Sequence, residues 1–143
     1  MSAAELEQEE RGQSSVLILG MLVILLLASA VVAGATAVNL EARKLLSAAD
    51  GASSAAAQSA TASGASPSLS ERQVRAAAQD YLSSSGAHQR FTAVEITQAS
   101  TADGGSTAEV ELAAAVELPL VSWVLPAHVT VTAESHARVS LNR

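Results

Sequence analysis

The sequence predicts an α+β protein: a long N-terminal transmembrane helix, then a second helix packed on a small antiparallel sheet of about three strands. Three observations carry this. No charged residue occurs between Gln13 and Leu40, and the run from Val16 is apolar or small. A capping-box pattern and an apolar stripe at helical spacing begin at Ser70. The C-terminal residues alternate apolar and polar with the period of a strand.

Each segment follows in turn. Val16 to Val38 is about 23 residues; at about 1.5 Å each it spans about 34 Å, enough to cross a hydrocarbon core of roughly 30 Å. A helix satisfies its own backbone hydrogen bonds, as lipid demands. The 143 residues offer too little other mass to bury such a helix on all sides. A cleaved secretory signal is the rival reading, but such signals start basic and have shorter apolar stretches. Here Glu5, Glu7, Glu9 and Glu10 stand against Arg11 alone. Ala28-Ser29-Ala30 resembles a cut site, yet apolar sequence continues past it. Orientation stays open: Arg11 and the amino terminus flank one end, Arg43 and Lys44 the other, and a one-charge difference decides nothing. Small residues recur at four-residue spacing, with Ser29, Ala33 and Ala37 on one line and Ala30 and Gly34 on the next. Such lines permit close approach by another helix.

Asn39 to Ala62 lacks proline and is rich in helix formers, so the same helix is expected to continue beyond the membrane. Leu45, Ala49, Ala52 and Ala56 share one side of it. Residues 63–69 read as a linker, broken by Gly64 and Pro67. In the second helix, Ser70 is the N-cap, Gln73 completes the capping box, and Glu71 faces the positive end of the dipole. Val74, Ala77, Ala78, Tyr81 and Leu82 form its stripe, Gly86 closes it, and the helix is the expected cover for the sheet.

The remainder reads as strands. Val94 and Ile96 alternate with Ala93, Glu95 and Thr97; Ala102 to Ser106 is a turn. Val110, Leu112, Ala114, Val116 and Leu118 face one way, and Glu109, Glu111 and Glu117 the other. In the last strand Val129, Val131, Ala133, Ala137, Val139 and Leu141 oppose His128, Thr130, Thr132, Glu134, His136 and Arg138. That pattern gives one dry face and one wet face. Between these strands lies an apolar connection with prolines at 119 and 126. It reads either as a loop folded over a thin core with Trp123 as plug, or as a contact patch. In the second case Leu120, Val121, Trp123, Val124 and Leu125 would dock on the outer leaflet or on a partner protein.

Composition bounds function. Hydrophobic residues make up 49% but aromatics only 2%, with alanine supplying most of the apolar count, so any core is thin. The formal charge is −6 without a basic stripe, which argues against nucleic acid. Cysteine is absent, so there is no disulfide and no thiolate chemistry. No catalytic set is found. His128 and His136 share a wet face but lie about 27 Å apart along a strand, too far for one metal. Glu109 and Glu111 share a face without a neighbour that would tune an acid–base pair. No G-x-S-x-G elbow or phosphate loop occurs. Neither a cofactor nor a small-molecule substrate is indicated.

Glu10-Arg11-Gly12-Gln13 before an apolar helix resembles the start of TadE/TadG-like proteins of Tad (Flp) pilus assembly and secretion systems. The stretch from Val38 to Ala52, ending Ala48-Ala49-Asp50-Gly51-Ala52, is similar to the family's basic-then-A-A-D-x-A segment. Leu118-Pro119-Leu120 through Pro126, with the Val/Thr strand that follows, is similar to the C-terminal part of TadG-like sequences. The resemblance implies a non-enzymatic assembly component of the bacterial cytoplasmic membrane, working by protein–protein contacts with other pilus or secretion membrane proteins. It implies residues 1–12 as a cytoplasmic acidic tail, 13–39 as the span, 40–62 as its helical extension and 70–143 as an extracytoplasmic domain. Gly12 is the candidate leader-processing position. Leu17 stands where processed pilin-like members carry an acid, which favours an uncleaved anchor. The alternatives are a membrane-tethered envelope binding module unrelated to pili and, more remotely, an anchored enzyme.

Overall fold

The computed structural model describes residues 3–62, 68–118 and 128–140, with side chains from residue 13 onward to 60 in the first of these. The lipid-compatible run and the alanine-rich run after it form one helix, α1 (Ala3–Ala62), 60 residues long. At about 1.5 Å per residue that is about 90 Å. No proline interrupts it, and several of its hydroxyls return to the backbone, as that of Ser29 does to the Leu25 carbonyl and that of Thr36 to the Val32 carbonyl, both at 2.8 Å.

Helix α2 (Glu71–Ser84) starts as its sequence predicts, with both halves of the capping box in place on Ser70 and Gln73. Gly86, at φ 70, takes the left-handed conformation beyond its C-cap. One short turn of helix, α3 (Ala87–Arg90), then leads into the sheet. Strands β1 (Thr92–Ala102), β2 (Thr107–Glu117) and β3 (His128–Arg138) form an antiparallel sheet in the order β1-β2-β3. The β2–β3 register runs unbroken from Thr107↔Arg138 to Glu117↔His128. The β1–β2 register shifts between Thr92 and Glu95 and again between Ile96 and Gln98. Simple alternation was expected here; instead Ala93 sits at φ 51 within the first irregularity. Such bulges twist an edge strand and discourage further pairing.

The dry face is covered by two helices. The expected cover was α2, and Val74, Ala78 and Leu82 are indeed buried. The outer half of α1 is the second cover: Leu45, Ala49, Ala52 and Ala56 are fully buried in the same core as Val110, Leu112 and Val131. Burying a leucine side chain stabilises by roughly 1.5–3 kcal/mol, so Leu45, Leu82 and Leu112 count for more than the alanines around them. Leu69, assigned by sequence to the linker, is a core residue. Its N–H donates to the Gly105 carbonyl at 2.8 Å, tying the start of α2 to the β1–β2 turn. Gly105 has φ 87, and a Cβ there would come within 3.0 Å of the Leu69 carbonyl oxygen, so only glycine fits.

Candidate functional site

The surface that distinguishes this chain is the inner half of α1. From Val16 to Val32 its large apolar side chains are all about half exposed or more, and Val16, Leu17 and Val31 reach 71%. A segment of α1 is long and apolar enough to cross a membrane, and none of its most apolar window is buried within the chain. Leaving so much apolar area in water would be costly, and lipid removes that cost.

Toward the sheet, one side of α1 changes character. Ala30, Ala33 and Ala37 are half-buried and Gly34 is buried, while Ser29 remains exposed. The nearest neighbour of Gly34 is the chain's own Leu118, just past β2; a Cβ on Gly34 would lie 3.7 Å from Leu118 Cδ2. That is ordinary contact, so this neighbour does not itself require glycine. The small-residue line that could admit another helix therefore admits, at Gly34, part of the same polypeptide. Leu120, Val121, Trp123, Val124 and Leu125 lie outside the described residues. Gly12 lies within α1, and Leu17 is exposed on it.

Higher up, a polar contact locks α1 to β3. Ser135 Oγ donates to Asp50 Oδ1 at 2.5 Å. Ser53 Oγ lies 3.1 Å from the Asp50 carbonyl oxygen, which accepts its proton, and 3.2 Å from Ser135 Oγ. Ser53 and Ser135 are both buried, and buried hydroxyls need such partners. On the α2 side of the same helix, Gly51 leaves room for Tyr81: a Cβ on Gly51 would fall on the phenol hydroxyl and ring. Neither Ser135 nor Tyr81 was marked by sequence as a partner of α1. Tyr81 stood in the apolar stripe of α2, and Ser135 has the dry-face parity of β3.

Among the described residues no group of three His, Asp or Glu side chains could hold a metal ion. Apart from Ser53 and Ser135, and Ser100, which donates to the Glu109 carboxylate, the serines with described partners serve caps, turns and helix backbone, as Ser70 serves Gln73.

The helix just described, from shortly before its exposed apolar run to the last turns packed on the sheet, is also what one known family model matches. Residues 12–59 match the Tad family model, Flp pilus-assembly TadE/G-like. The matched stretch, about a third of the chain, is similar to TadE/G-like domains. It starts at Gly12, includes the whole apolar run and ends beyond Ala56, so it is α1 almost alone. The matched stretch thus supplies both the surface suited to lipid and a layer of the core under the sheet. Asp50 and Gly51 belong to it, and their partners Ser135 and Tyr81 belong to the remainder of the chain. The chain matches no curated protein and no solved structure.

Proposed function

We propose that this protein is a single-pass, membrane-anchored structural or assembly component of a Tad (Flp) type pilus or a related secretion system. Its N-terminus lies in the cytoplasm and its α+β domain outside the bacterial cytoplasmic membrane. One observation carries the reading: the TadE/G-like match falls on an apolar helix that continues, without a break, into the core of the folded domain. A continuous helix transmits position and force between bilayer and domain, which suits a scaffold. Its action is mechanical and non-catalytic. Ser29 and Ala33 on the span, and the edge of β3, offer contacts to other membrane components of the apparatus.

In-frame deletion in the native host tests this. Loss of surface fibres or of the linked secretion, restored by the full chain in trans, is the expected result. Fibres and secretion at wild-type levels in the deletion strain would overturn the proposal.

A further inference from the structure

The sheet climbs beside α1, and its lower end reaches the span. At the top, Gln58 of α1 and Arg138 of β3 line one pocket. Below it, Asp50 and Ser53 meet Ser135. At the bottom, Gly34 meets Leu118, which follows directly on the Glu117↔His128 pair of the β2–β3 register. From Gly34 to Asp50 is about 24 Å along the helix, and from the level of Leu118 to Ser135 is about 26 Å along β3. Such similar rises mean that strand and helix run nearly parallel. Leu118 and His128, where β2 ends and β3 begins, therefore stand at the membrane end of the sheet. The sheet-facing line of α1 continues to the same depth: it stays half-buried or buried through Ala42, Val38, Ala37, Gly34 and Ala33 down to Ala30, inside the apolar run. About 20 helical residues cross the hydrocarbon, so with the apolar run in lipid Gly34 lies within about 6 Å of its outer boundary.

The sequence that joins these two ends decides what they face. Leu118 to Ala127 holds no charged residue, and Ser122 is its one hydroxyl. Leu120, Val121, Trp123, Val124 and Leu125 would be costly to leave in water, and lipid stands at the height where the segment begins and ends. Irregular backbone is not tolerated deep in hydrocarbon, but at headgroup level water still reaches its N–H and carbonyl groups. Pro119 and Pro126 present no N–H to satisfy, and tryptophan favours that depth. Glu117 and His128, both exposed, form a polar rim just above. Val129, the next residue of β3, is exposed as well.

We propose that the membrane end of the sheet is seated in the outer leaflet, with Leu118 at the hydrocarbon boundary and segment 119–127 at headgroup level, its apolar side chains in lipid. The proposal rests on the membrane-anchored reading above and adds a second attachment to it. The domain is then held to the bilayer at two places, α1 and the β2–β3 connection, which fixes its tilt about the helix.

The test reads the fluorescence of Trp123, the one tryptophan of the sequence. The full chain is placed in phosphatidylcholine nanodiscs, which leave both bilayer faces open to solutes. Bromine on the acyl chains near the headgroups should quench most of the emission, bromine near the chain ends much less, and iodide in the water little. In the double variant Leu120→Glu, Val124→Glu the emission should shift to the red, lose its bromine quenching and become open to iodide, with the chain still in the disc. Full quenching of wild type by iodide with no effect of bromine would overturn the proposal. So would protection from both quenchers, the result for a tryptophan plugged into the protein, or bromine quenching that is unchanged in the double variant. Carbonate extraction of wild type from membranes separates the two readings. If the chain is released, the anchor itself fails; if it stays while Trp123 ignores bromine, only the seating of the sheet fails.

Discussion

Ser135, near the end of β3, gives its hydroxyl proton to the carboxylate of Asp50 on α1 at 2.5 Å, joining residues 85 positions apart. Around it the interface is largely alanine, which packs closely but specifies register weakly. A directional bond to a charged acceptor is what fixes how far α1 can slide along the strand.

Removing that bond should be felt. Ser135→Ala and Asp50→Ala should each destabilise by about 1–2 kcal/mol, toward the low end because the Asp50 carboxylate reaches water and can be resolvated. Asp50→Asn keeps an acceptor oxygen and should cost less. A double-mutant cycle on the full chain in micelles, followed by thermal unfolding, should show the two costs combining to less than their sum. Strict additivity would mean that the pair does not interact.

The contact of Gly51 with Tyr81 predicts a change of sign. In a free helix, replacing glycine by alanine stabilises by about 1 kcal/mol. Here Gly51→Ala should destabilise, because the new methyl group must evict the Tyr81 ring. In a Tyr81→Ala background the obstacle is gone, and the same substitution should raise the melting temperature. If Gly51→Ala stabilises in both backgrounds, the ring does not lie where it is placed.

On the wet face, Glu111 of β2 stands directly opposite Glu134 of β3. Like charges facing each other across a ladder destabilise it, and an opposite pair contributes roughly 0.2–1 kcal/mol. Glu134→Lys should therefore raise the melting temperature at low salt and lose most of the gain at high salt. No gain at low salt would exclude the register between these strands.

Where periodicity was strong, the structure was legible in the sequence. The capping box on Ser70, the stripe ending at Leu82 and the alternation of β3 all depend on residues within a few positions of one another. The side of α1 carrying Leu45, Ala49, Ala52 and Ala56 was legible too, but its partner was not, because alanine announces a face without announcing what it packs against. Ser135 has the dry-face parity of β3 but a polar side chain, and only the distant Asp50 explains its burial. The irregularities of β1 were hidden for a different reason: Ala93 at φ 51 is a conformation alanine does not advertise. The small residues at Ala30, Gly34 and Ala37 pointed to close packing, and Leu118 near Gly34 shows that sequence alone cannot tell a neighbour in another chain from one in the same chain.

The orientation of α1 across the bilayer is tested most directly by labelling single cysteines, which the cysteine-free chain makes unambiguous. Ser2→Cys and Ser100→Cys variants of the full chain would be exposed in intact cells to a membrane-impermeant thiol reagent. Reaction at position 100 alone, with position 2 reacting only after lysis, is the predicted result. Reaction at position 2 alone in intact cells would contradict it.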